Sequence, residues 1–527
     1  MSGDGSTAVA DRLLGAVRGQ DWAQASTIID EAWIELTMTG HLDAVGQVVA
    51  TLPEQFLHEP PTAGLVAENV GRLPPGSVNA QVPADHGTLR ALGRSPAAHR
   101  VLSRTLAGMA ARRRRGLHTS AMEYVARGTV VADAAEFVMF REVRRLLPFW
   151  QLQAGITAHL AGELGIARRL HRAAYRSREA SAYDIVGRDA AGNMAMIEAL
   201  SGRLVEADAW LARALSETHR PTWVGPLVQV PIDVAAGIAA ADRLDREGCL
   251  RFLERAATSA DHDEHWAGVL FAYTSIELVL GDIAGAVAFV AQLEESHERW
   301  TGETGLGRTG LALARADLAL TQGRGTVARS ALRGLEDDPA AVPTLARLAL
   351  LEGDPDRTAA LADAAGHDET VSLRGRLELL LAGAAADVAR DQPEPAAERL
   401  ATAVRLAEPH GILRVFATVP RAVLEAVEPR VPGLRDVLAR LEERRIGEIY
   451  PDQVVSVQLT RRERELLHEL AGPLTLGQIA EKWFVSRETV KSQMNSLRTK
   501  LEVSTRQEVL SRAAALGLTG APEDAGT

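Results

Sequence analysis

A single cysteine, Cys249, in 527 residues excludes an intrachain disulfide and any zinc cluster built on paired cysteines. Aromatic residues are also sparse, 4% of the chain against 46% hydrophobic residues in all. An apolar content dominated by Ala and Leu favours close-packed helices over sheets, which draw on Val, Ile and aromatic rings. No run of roughly 18 apolar residues occurs, and the start "MSGDGSTAVADRLLGAVRG" lacks a basic segment ahead of an apolar core. A membrane span and a signal peptide are thereby excluded, and a reducing, cytoplasmic location is expected. Lysine is the scarcest charge: Lys482, Lys491 and Lys500 are the three in the chain, and everything upstream uses arginine. The net charge of −11 argues against general affinity for nucleic acid. The charge is uneven, however, because residues 459–518 hold 10 Lys and Arg against 7 Asp and Glu, leaving 48 against 62 elsewhere. A modestly basic module is joined to an acidic body.

The length implies several domains or one repeat array. Between about Gly155 and Leu424 an Ala/Leu-rich helical stretch, a turn and a second amphipathic stretch recur, with turns at Gly165, Gly202, Gly281, Gly323 and Gly353, a later one at Asp391, and a missing one expected near Gly248. Such spacing suits stacked hairpins of the tetratricopeptide kind, since one hairpin cannot bury its own apolar face. The prediction is an all-α chain whose residues 99–445 form a tetratricopeptide-like solenoid. In "LVEADAWLARAL" the apolar positions Leu204, Ala207, Trp210, Leu211, Ala214 and Leu215 fall at helical spacing and belong to the core.

The first 75 residues predict helices over 6–17, 22–36 and 42–49, followed by a Pro/Gly-rich linker at 76–98. Gly19, Asp21, Trp22, Ala25, Gly40, Leu52 and Pro53 in this segment stand about where the helical segment after the ATPase module has them in large MalT-like regulators of the LuxR family, which it resembles. Those regulators carry a phosphate-binding loop upstream, whose chemistry needs Gly-Lys-Ser/Thr. All three lysines here follow other residues, so the resemblance implies a regulator without the nucleotide motor.

After a linker at 446–458, three capping boxes mark helix starts: Thr460 with Glu463, Thr475 with Gln478 and Thr505 with Glu508. Gly472-Pro473 ends the first of these helices, and Ser486 caps another. In "SRETVKSQMNSLRTKL" the apolar residues Val490, Met494, Leu497 and Leu501 form one buried stripe. The opposite face carries Glu488, Ser492, Asn495 and Thr499, with Lys491 at its edge: short polar groups and one long cation, able to reach base edges. A helix ending two residues before Ser486 completes a helix-turn-helix layout. Leu459-Thr460-x-Arg462-Glu463, Ile479-Ala480-Glu481, Val485-Ser486-x-x-Thr489-Val490-Lys491, Lys500-Leu501-x-Val503 and Arg506 resemble the LuxR-type DNA-binding module over 459–518.

That resemblance implies DNA contacts at Lys491 and its neighbours. The candidate set is Thr475, Ser486, Arg487, Glu488, Thr489, Lys491, Ser492, Asn495, Arg498 and Lys500. It also implies a homodimer on DNA, with the helix 505–516 at the two-fold contact. Thr475-Leu476-Gly477-Gln478, Gln493 and Ser496 depart from the common residues of the module, and each missing phosphate contact lowers affinity and its salt dependence.

Other constellations carry less. "ARRRRG", with Arg112 to Arg115, reads as a solvated face or an anchor for acidic neighbours. "DHDEHW" matches no standard ligand spacing, so no metal or other cofactor is expected. The proline-bearing stretch 218–233, with Trp223, is expected to be a loop that lines a pocket or merely connects helices. No catalytic motif is found, and the chain is not expected to be an enzyme. The expected function is a transcriptional regulator whose acidic repeats sense a small molecule or a protein and control the module at 459–518 through an inhibitory contact, ahead of a tail at 519–527. The alternative is an interaction scaffold whose last helices only cap the array.

Overall fold

The computed structural model of the chain describes residues 3–74, 76–135, 140–218, 223–258, 262–297, 304–366, 368–457, 459–516 and 518. The expected tail at 519–527 lies outside them. Among the described residues there are 28 α-helices, short 3₁₀ turns and no strand, and no helix is long and apolar enough to cross a membrane. The all-α expectation holds. The chain divides into two compact units, residues 1–276 with 291–311, and residues 277–290 with 312–527.

One device ends helix after helix. Gly162, Gly202 and Leu244 in the first unit, and Gly323, Gly353 and Asp391 in the second, all adopt a left-handed backbone. In each case the next N–H reaches back five residues, as from Glu163 to Ala158 (2.8 Å), Asp245 to Ala240 (2.9 Å) and Gln392 to Asp387 (2.8 Å). This closes the last turn and reverses the chain into the next helix. Two expected turns move accordingly. The one placed at Gly165 lies at Gly162, with Gly165 inside Leu164–Arg176, and the one sought near Gly248 lies at Leu244, with Gly248 inside Arg246–Thr258. A leucine in the left-handed region costs about 1 kcal/mol relative to glycine, so the absence of a glycine at 244 hid that turn.

In the first unit the expected N-terminal helices are Gly3–Arg18, Trp22–Met38 and Leu42–Thr51. Trp150 is fully buried and donates to Thr105 Oγ1 at 2.9 Å. A Cβ at Gly128 would stand 2.3 Å from its ring, so only glycine permits that helix approach. The arginine run anchors acidic neighbours: Arg112 pairs with buried Glu68 at 3.0 Å and Arg113 with Glu264 at 3.0 Å. Glu68 also accepts the N–H of Val78 at 2.8 Å. The stretch after residue 75 is thereby held on the unit, with Val78, Ala80 and Val82 buried and a helix at His86–Gly93.

The expected loop at 218–233 becomes helix Gly225–Asp242 from residue 225 onward, while Pro221 lies outside the described residues. Pro226 occupies the first turn, where no N–H is needed. Pro231 sits one turn further in and removes a single bond, that to the carbonyl of Leu227.

In the second unit, hairpins such as Pro355–Ala365 with Leu373–Ala389 stack in sequence. The segment expected as a linker, from residue 446, is fastened to them. Val454 donates to Leu351 O (3.0 Å) and Val455 to Gly323 O (3.1 Å), while Val455 O accepts from Thr326. Val454 is buried beside Leu320, Leu332 and Leu348. Just before it, the Tyr450 ring lies 5.2 Å from the guanidinium of Arg347, which bonds Asp317 (2.5 Å) and Glu378 (3.0 Å).

Candidate nucleic-acid interface

Four short helices, Arg461–Ala471, Leu476–Lys482, Arg487–Leu501 and Arg506–Ala515, follow the fastened segment. All three sequence-read capping boxes close reciprocally, and Ser486 accepts the N–H of Thr489 at 3.1 Å. Each cap satisfies amides that a short helix would leave without partners. The stripe Val490, Met494, Leu497 and Leu501 is buried against Leu466, Ile479 and Val509. Between Leu476–Lys482 and Arg487–Leu501 the chain turns through Phe484, which is left-handed and 96% exposed.

This packing fixes which side chains point outward. Ser486, Arg487, Glu488, Thr489, Lys491, Ser492 and Asn495 are exposed and crowd the first turns of Arg487–Leu501, the part of a recognition helix that meets base edges. Among the described residues Lys491 has one loose partner, Glu488 at 3.7 Å, with both side chains mostly in solvent. Such a pair holds the ammonium weakly.

The remaining candidates lie elsewhere. Thr475 caps another helix, and Arg498 is half-buried. Lys500 turns inward and bonds Glu463 Oε2 at 2.7 Å, while Ser496 donates to Glu463 Oε1 at 2.6 Å. Glu463 is 4% exposed and thus serves as both capping-box partner and counter-ion. Burial pushes its carboxyl up, but the hydrogen bonds from Lys500, Ser496 and Thr460 more than offset this and hold it below the ordinary range. Its stabilisation is therefore present at neutral pH and is lost as pH falls through that lowered value. The same charge sets a mutational prediction. Glu463→Ala is expected to cost about 2–4 kcal/mol, from the lost cap and the uncompensated lysine. Hydrogen exchange of the Arg487–Leu501 amides in the full chain measures it, and Glu463→Gln, which retains the box, loses less.

Sequence reasoning assigned no role to Arg506. Its guanidinium donates to the carbonyls of Leu470 (2.8 Å), Gly472 (2.8 Å) and Leu474 (2.8 Å), locking the turn after the first helix. A basic residue directly after a capping threonine is the local signal for it. The network joining Glu463 to Ser496 and Lys500 has no local signal, since Glu463 lies more than 30 residues from both.

Residues 457–513 match the family described as bacterial regulatory proteins, luxR family (GerE). The chain is also 37% identical over 70 residues to the uncharacterized transcriptional regulatory protein YhcZ of Bacillus subtilis (strain 168). That match covers 13% of this chain and 33% of that protein, so the chain spans only a third of the relative's length. The capped helices, the tight turn at Phe484 and these similarities agree: the C-terminal domain of this chain is a helix-turn-helix domain of the luxR family of bacterial regulatory proteins.

Proposed function

We propose that the chain is a transcriptional regulator in which the module at 459–518 reads duplex DNA with the outward face of Arg487–Leu501, and in which the helical repeats sense an effector and set the module's affinity. The observation that carries this reading is the solvent-exposed set Glu488, Lys491, Ser492 and Asn495, held rigid by the buried stripe beneath it. Short polar groups with one long cation suit the donor and acceptor pattern of the major groove. The helix N-terminus adds a partial positive charge that favours phosphate.

With this face open, the repeats govern binding through the placement and pairing of modules. Two copies on paired half-sites would supply affinity that a module with few free cations lacks alone. The segment from Tyr450 to Val457, bonded to the repeats of its own unit, is the element through which a change in the repeats would reach the module.

Serial selection of random duplexes on the purified chain tests the proposal. An enriched motif is expected, with Lys491→Ala weakening binding by about 1–3 kcal/mol and lowering the salt slope by about one if the lysine meets a phosphate. A scaffold with a terminal cap would enrich no sequence and would be indifferent to the substitution.

A further inference from the structure

The first unit contains a cavity of about 550 Å³, within the range of small-molecule sites. It is bounded by helices Trp22–Met38, Ala98–Arg113, Arg141–Leu160, Val186–Leu200 and Gly225–Asp242. Trp33, Met38, Phe149, Ile156 and Leu227 supply apolar wall. Into this lining project a few polar groups whose partners decide what the cavity accepts.

The cations are largely engaged. Arg113 bonds Glu264 (3.0 Å), the Gln153 carbonyl (3.1 Å) and Gln153 Oε1 (3.0 Å), and Arg115 bonds the Leu73 carbonyl (3.0 Å). The acceptors are not. Asp189 is 8% exposed; its Oδ1 accepts from Asn193 at 2.8 Å, and its Oδ2 has no partner among the described residues. Asn69 Oδ1 and His265 Nδ1 are buried at the same cavity with no hydrogen bond to the described residues. Arg113 bonds Glu264 directly and acts on Asp189 only through its charge, without a hydrogen bond. Burial, then the Glu264 charge, pushes the Asp189 carboxyl up to about 7, against a smaller downward pull from the Arg113 charge and the Asn193 hydrogen bond. Such a group is costly to ionise without a cation beside it.

The geometry points to a binding site for a small amphiphilic amine, a hydrocarbon or aromatic body seated on Trp33 and Phe149 with one protonated amino group donating to Asp189 Oδ2. An ammonium there supplies the missing counter-charge, and its remaining N–H groups suit unpartnered acceptors of the kind found at Asn69 and His265. The aromatic walls favour a cation further. An anion would have to rely on Arg114, exposed at the cavity lining, and would face both Asp189 and Glu264. That such an amine is the effector rests on the sensing role proposed above; that it binds does not.

Calorimetry of the full chain without DNA tests the site, using phenethylamine, tryptamine and cyclohexylethylamine beside the carboxylates 3-phenylpropionate and indole-3-propionate. At least one amine is expected to bind at millimolar concentration or tighter, to lose about tenfold or more in affinity in Asp189→Asn, and to be blocked in Leu227→Trp, which fills the cavity. Circular dichroism of both variants checks that they fold. Carboxylates binding better than amines, amines indifferent to Asp189→Asn, or no amine binding at all would each overturn the proposal. A positive result with no change in DNA affinity would retain the site and remove the sensing role alone.

Discussion

Replacing Arg347 with alanine is expected to destabilise the second unit by about 3–5 kcal/mol, the cost of leaving buried charges without their partner. Arg347 is 5% exposed and holds Asp317 and Glu378 together, while Arg414, also 5% exposed, lies 3.6 Å from the second of these. Without Arg347, two carboxylates share one arginine, and Asp317, already pushed up by burial, has lost its direct hydrogen-bond partner. Arg347→Lys keeps the charge but cannot fork to two carboxylates, so it recovers only part of the loss. The Tyr450 ring rests on the same guanidinium, so the effect reaches the segment leading to the helix-turn-helix module. Hydrogen exchange at Val454 and Val455, whose amides bond Leu351 and Gly323, should rise sharply in Arg347→Ala. Unchanged protection there would separate the ion cluster from the segment.

Asp189→Asn is expected to stabilise the first unit, by up to about 4 kcal/mol at pH 8 and by nothing near pH 3.8. The carboxyl titrates at 3.8 in the unfolded chain and at about 7 in the fold. Below the first value it is protonated in both states. As pH rises between them, the folded chain must retain a proton that the unfolded chain releases, so stability falls until about pH 7. The substituted amide would carry no charge and could still accept from Asn193. Three histidines of the first unit act in the opposite sense. Burial lowers His171 to about 3 and His265 to about 4, and holds His159 well below 6.5. Their contribution is full above pH 6.5 and is lost as pH falls, by about 2 kcal/mol each for His171 and His265 at pH 5. The variant, lacking the compensating gain at Asp189, should therefore be the more acid-sensitive of the two. Thermal unfolding between pH 4 and pH 8 decides this. A buried carboxylate that costs stability at neutral pH suits a residue kept for a ligand.

The helix-turn-helix module was the most legible part of the chain because its signals are local. Capping boxes, the Ser486 cap and the Val490, Met494, Leu497, Leu501 stripe each lie within a few residues and specify helix starts and faces directly. Lys500 shows the limit: its helical position sets it near the candidate face, and a glutamate in another helix draws it inside. In the body, glycine located the turns at Gly202, Gly323 and Gly353 but not at Leu244, where the same geometry is imposed on a residue that resists it. Prolines at 226 and 231 suggested a loop, although the first needs no donor and the second loses only one bond. Of the cavity wall only the stretch 218–233 was marked in the sequence, and its Trp223, Val224, Leu227 and Val228 do line it; Trp33, Arg113, Phe149 and Asp189 come from four other helices and carry no shared signal.

Side chains on the exposed face of Arg487–Leu501 are expected to read bases. Repeating the duplex selection with Asn495→Gln tests this, because Asn495 is exposed and is not part of the module's core. The variant is expected to fold, still to bind DNA and to enrich a motif altered at one position in each half-site. An identical motif recovered with unchanged affinity, from both this variant and Lys491→Ala, would contradict it.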